Sequence, residues 1–287
     1  MIAGTLTVGA LALTVTGNTS VTGTLTITSA TGTKAFNGNV TINNGGVWNN
    51  TAANVALTLP GSLQSDGTFN AGSGAHTFSG ASKTISGANS ITLASIASTS
   101  LTNNGTLVVT GVISGTLFTN GATGILTLGA APSVTTFTAN ASGNSVTYNC
   151  AVSCTMKASS ANYYNLLIST GNITSVADTV ANNLTISSGT FTLANASFTV
   201  TGATSITGAL ANATGNTGTR TFTGLVTINS GGSVDLTTGT DPVLSFGSGV
   251  TASSGAGSVN FGIGATALTA TQAFTSTGSM TFGAVTV

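Results

Sequence analysis

Apolar and hydroxyl-bearing residues alternate along nearly the whole chain. Thr5-Leu6-Thr7-Val8, Leu13-Thr14-Val15-Thr16, Thr24-Leu25-Thr26-Ile27, Val40-Thr41-Ile42-Asn43 and Thr190-Phe191-Thr192-Leu193 all place Leu, Val, Ile or Phe on one side and Thr on the other. Strict alternation with β-branched residues is the signature of strands with one buried face. No stretch carries a helical period with caps. Turn dipeptides cut the strands at Asn37-Gly38, Asn44-Gly45, Asn104-Gly105 and Gly231-Gly232, so the strands are short, about 4 to 7 residues.

Such spacing fits a sandwich, a barrel or a solenoid, and internal repetition decides among them. Residues 31–46 recur as residues 217–232, with 11 of 16 positions identical at an offset of 186 from Phe36 to Phe222. Upstream the match continues with one residue slipped: Gly4-Thr5 matches Gly189-Thr190, and residues 13–17 match 198–202. Downstream, Gly67, Gly72 and Gly74 fall opposite Gly257, Gly262 and Gly264. Repetition of small strand-turn units predicts a stack in which each coil buries its apolar side chains against its neighbours. The expectation is an all-β parallel β-helix, a single continuous β-solenoid over residues 1–287. Residues 1–94 match 186–287, and 95–185 form the intervening rungs. Coils of about 20 to 30 residues, rising about 4.8 Å each, give about 10 to 14 rungs. Val, Leu, Ile and Phe point inward, with the 12 Phe as axial ladders. Thr, Ser and Asn point outward.

Composition narrows the function. Only 3% of the 287 residues are charged, against about 25% in ordinary proteins. At 40% hydrophobic and zero net charge the chain is no disordered tail. Its apolar runs are too broken for membrane insertion through a helix. Lys34, Lys83, Lys157 and Arg220 are scattered, and nucleic-acid binding needs clustered cations. The N-terminus lacks the basic and apolar regions of a signal peptide, which points to a mature or excised segment. Both ends fall inside strand-like sequence without a polar cap. The chain therefore reads as a piece of a longer protein, or as one whose bare ends stack head to tail.

Chemistry-bearing residues are few. Asp66, Asp178, Asp235 and Asp241 are far apart; Asp66-Gly67 and Asp241-Pro242 read as turns. His76 reads as a surface or rung-interior residue. No catalytic residue, cofactor site or metal site is expected, and no enzyme activity. Lys34 and Arg220 share one slot of the long repeat and read as solvated turn charges, the alternative being an interstrand or intersubunit contact. Nine Asn-x-Ser/Thr sequons, at Asn18, Asn39, Asn49, Asn104, Asn140, Asn172, Asn183, Asn195 and Asn212, are weak evidence for glycans in so Asn- and Thr-rich a chain.

The middle of the chain carries a family pattern. Residues 139–149 are followed by Met156-Lys157-Ala158, then residues 163–169 and strands such as Leu184-Thr185-Ile186. This pattern, with Gly45-Gly46-x-Trp48-Asn49-Asn50, resembles the repeats of large bacterial surface proteins akin to filamentous haemagglutinin and autotransporter passengers. The resemblance implies a secreted, right-handed parallel β-helix at the cell surface, used for reach, attachment or assembly. Cys150 and Cys154 depart from it, since such repeats carry Gly and a polar residue there. The C-x3-C spacing and an extracellular setting point to a small-loop disulfide; free thiols or pairing between subunits are the alternatives.

The function expected is structural: an extracellular filament, fibre or sheath whose partner is itself. The alternative is the stalk or passenger of an adhesin meeting glycans or a host surface. Ice binding by arrays of outward Thr is a third reading.

Overall fold

The computed structural model of this chain describes residues 1–176, 178–180, 182–194, 197–215, 218–238, 243–262, 266–268, 274–282 and 285–286. It is an all-β parallel solenoid, with strands stacked in about 13 turns. The chain divides into two units, Met1–Asn144 and Ser145–Val287. The sequon at Asn195, the Asp241-Pro242 turn and the side chain of Asp178 lie outside the described residues.

In the first unit the first four turns contribute three strands each, one to each of three faces, and the later turns contribute two. The first face stacks Thr5–Val8, Thr24–Ile27, Val47–Asn49 and Thr68–Asn70. It continues through Ile91–Leu93, Thr106–Val109 and Ile125–Leu128. The second face carries Leu13–Val15, Lys34–Phe36, Leu57–Thr58 and His76–Phe78, and the third Thr19–Val21, Val40–Ile42, Leu63–Ser65 and Lys83–Ser86. Two longer strands, Ile96–Asn103 and Ile113–Asn120, run from the second face into the third without a break. Gly115 lets the second of these bend: its φ is +116°, and a Cβ there would lie 2.0 Å from the Ser98 carbonyl oxygen.

The second unit opens with two long strands, Ser145–Thr155 and Asn165–Thr174, and then repeats three strands per turn. One face runs Leu184–Ile186, Thr204–Ile206, Val226–Ile228, Val250–Ala252 and Phe274–Ser276. The next runs Thr190–Leu193, Ala209–Asn212, Ser233–Asp235, Val259–Asn260 and Met280–Thr281. The last runs Asp178–Val180, Phe198–Val200, Arg220–Phe222, Leu244–Phe246, Thr266–Leu268 and Val285–Thr286.

The alternation maps onto burial as the pleat requires: Val40 and Ile42 are buried on either side of half-exposed Thr41. Coils run from 16 to 25 residues, so many keep the expected length of about 20 to 30 and some fall below it. Ile91 pairs with Leu107, 16 residues on, and Val226 with Val250, 24 residues on. The shortest coils are those whose strands bend across two faces and so dispense with a corner loop.

Aromatic stacking is real but local. Phe118 and Phe137 stack on adjacent rungs with centroids 6.0 Å apart, and Phe222 and Phe246 at 5.8 Å. Elsewhere rings meet edge-on across the core, as Phe191 meets Phe198. The assignment of Asn to the outside needs correction. Asn50, Asn103, Asn120, Asn144 and Asn212 are buried. Corners leave backbone groups without ladder partners, and an inward carboxamide supplies both a donor and an acceptor. Asn50 Nδ2 donates to the carbonyls of Val55 and Ala71, while its Oδ1 accepts from Val55 N. Asn103 Nδ2 donates to Asn120 Oδ1 at 2.9 Å, and Asn144 Nδ2 to the Asn120 carbonyl at 2.7 Å.

Candidate functional site

The features with the most chemistry are buried cations at corners and one covalently closed corner. Lys34 begins a second-face strand, points inward and is only 5% exposed. Its Nζ donates to the carbonyls of Leu11 (3.0 Å), Thr31 (2.6 Å) and Gly32 (2.9 Å). Arg220, in the equivalent slot of the repeat, is fully buried, and its Nη2 donates to the Ala194 carbonyl at 2.6 Å. Burial pulls the Arg220 guanidinium down to about 10, which still leaves it charged at neutral pH. The reading of both as solvated turn charges is therefore corrected. The corner ahead of the strand turns its carbonyls inward, and the cation answers them.

Other bonds recur between equivalent positions. Asn43 Nδ2 donates to Ser20 Oγ, and Asn229 Nδ2 to Ser205 Oγ. Asn49 accepts from the amide and hydroxyl of Thr51, and Asp235 from those of Thr237. The two Thr237 bonds hold the Asp235 carboxyl below the usual range, against a smaller opposing effect of burial. Asp66 accepts from Ala88 N and Gln64 Nε2. These carboxylates serve turns, and no three potential metal ligands come together among the described residues.

Cys150 and Cys154 are bonded to each other. Ser145–Thr155 pairs with Asn165–Thr174 in register up to Tyr148 and again from Ser153, opposite Asn172, with shifts between. Cys150, Ala151 and Val152 fall in the bulge so formed, which the disulfide closes. Val152 is 78% exposed at its surface. Beyond the bulge, buried Tyr148 and Tyr163 join hydroxyls at 2.8 Å and grip the backbone of Lys157: its amide donates to Tyr148 Oη, and its carbonyl accepts from Tyr163 Oη.

Several sequons have a structural origin that the sequence did not disclose. Asn18 Oδ1 accepts the backbone amide of Asn39, one rung on, and Asn39 Oδ1 accepts that of Ser62. Asn183 Oδ1 accepts from Ala203 N. An axial clip, then an inward residue, then an outward hydroxyl spells Asn-x-Ser/Thr without reference to a glycan. Asn212 is buried, its Nδ2 on the Leu236 carbonyl.

Two surface clefts lie in the first unit. One, of about 530 Å³, is lined by Gly32, Lys34, Ala35, Val55, Thr58 and Pro60 among others. The second, of about 560 Å³, includes Phe69, Asn70 and Thr92. Neither gathers an acid, a base and a nucleophile. No helix among the described residues is long and apolar enough to cross a membrane. The chain belongs to the class of parallel β-solenoids. It matches no family model, no curated protein and no solved structure.

Proposed function

We propose that the chain is a non-enzymatic structural segment of an extracellular filament, fibre or sheath, built by continuation of solenoid rungs along the axis. One observation carries this reading: buried polar side chains with defined partners serve the stack itself, closing corners within a rung and joining one rung to the next. Lys34, Arg220, Asn50, Asn103 and Asn120 all bond corner backbone or one another. The outward Thr, Ser and Asn form a neutral surface without the net charge that keeps proteins apart. Each parallel strand offers its neighbour the same set of backbone donors and acceptors, so a further rung extends the ladder whether it comes from the same chain or from a second copy.

Electron cryo-microscopy of the purified chain at rising concentration tests this. Filaments with an axial repeat near 4.8 Å are expected. Particles that stay single at millimolar concentration would overturn self-assembly and leave the adhesin stalk as the reading to pursue.

A further inference from the structure

The stretch from Trp48 to Thr92 departs from the regular stack. The second-face ladder is interrupted there. Lys34–Phe36 pairs with Leu13–Val15, Leu57–Thr58 pairs with His76–Phe78, and no backbone pairing joins the two pairs. The cleft of about 530 Å³ opens at this interruption. On the first face, Thr68–Asn70 meets Ile91–Leu93 through a single residue pair, Asn70 with Thr92, and the second cleft opens beside it.

His76 connects these two weak places. Its strand is the one that pairs with Leu57–Thr58, and its ring lies edge-on to Phe69 at 6.3 Å. The side chain is fully buried, neither ring nitrogen makes a hydrogen bond of good geometry, and the Gly74 backbone exerts only a weak pull on the ring. In register on either side are Leu57 and Ile96. Leu57–Thr58, Thr68–Asn70 and Ile96–Asn103 contain no titratable residue. The charges nearest in the fold face elsewhere. Lys34, beyond Leu57, is engaged with three carbonyls, Asp66 bonds a third-face turn, and Lys83 lies on the third face.

We propose that His76 is an acid-sensitive lock: neutral, it completes the core, and protonated, it opens the rungs around residues 57–78 at the interrupted ladder. A cation at this position meets no counter-charge and only the Gly74 backbone as an acceptor, too little to replace its hydration, whereas local opening hydrates it. Burial holds the imidazole below its ordinary value of 6.5, with the Gly74 backbone opposing weakly. The open state therefore binds more protons than the closed one. The closed state is fully favoured above about pH 6.5 and loses ground as pH falls toward the folded value. One proton makes the opening constant rise by up to about tenfold per pH unit in that window.

Hydrogen exchange of the whole chain between pH 7.5 and pH 5, corrected for intrinsic rates, reads this directly. Amides of residues 57–59 and 76–78 are expected to lose protection at up to about tenfold per unit, while those of Thr106–Val109 and Ile125–Leu128 hold. His76→Phe is expected to abolish the pH dependence. Should that variant fail to fold, proton NMR of His76, the single histidine, in the unaltered chain decides. An imidazole that titrates at or above 6.5 with its rungs still protected overturns the proposal. So does acid loss of protection that is unchanged in His76→Phe.

Discussion

Lys34 occupies an inward position two residues before Phe36, and Arg220 stands in the same relation to Phe222. An ion taken out of water costs several kcal/mol unless hydrogen bonds replace its hydration. Three carbonyls do so for Lys34. Removing the cation strands those carbonyls, so Lys34→Met is expected to destabilise the chain by about 1–3 kcal/mol, and Lys34→Arg by much less. Urea unfolding of the two variants checks the order. The sequence revealed the shared slot but not its burial. The shared slot alone did not decide between solvent and contact, while the strand parity, cation-x-Phe, pointed inward and was the stronger signal. Asparagine was ambiguous for a related reason: Asn39 outside and Asn50 inside both serve backbone, and only the local turn decides which.

At the scale of elements, the bulge closed by Cys150 and Cys154 depends on its neighbour strand. Gly171 lies beneath it at φ +76°, where a Cβ would sit 2.3 Å from the Cys150 carbonyl oxygen and 2.6 Å from that of Val152. Gly171→Ala is therefore expected to cost more than about 1 kcal/mol, read as a lower thermal midpoint. Alanine at both Cys150 and Cys154 removes a short closed loop worth about 2 kcal/mol. Its effect should match that of reductant on the unaltered chain, and reductant should leave the double variant's midpoint where it is. Strands themselves were legible because a period of two leaves no other structure. The shortest rungs were not, because a strand that bends through a corner, as at Gly115, and one interrupted by a loop look alike in hydrophobic pattern.

For the molecule as a whole, stacking predicts how damage spreads. Leu210 is buried, paired in register with Phe191 on one side and Val234 on the other. Leu210→Ala leaves a cavity that costs about 2–5 kcal/mol. In a fold whose stability is a sum of rungs and nearest-neighbour interfaces, that loss stays local. Hydrogen exchange should show protection falling in Thr190–Leu193, Ala209–Asn212 and Ser233–Asp235, with Thr24–Ile27 and Val47–Asn49 unchanged. A protein that unfolds as one cooperative body would instead lose protection throughout. The local outcome bears on function, because a segment that tolerates a damaged rung is suited to carry load along an axis, whereas a catalytic fold concentrates its requirements at one site.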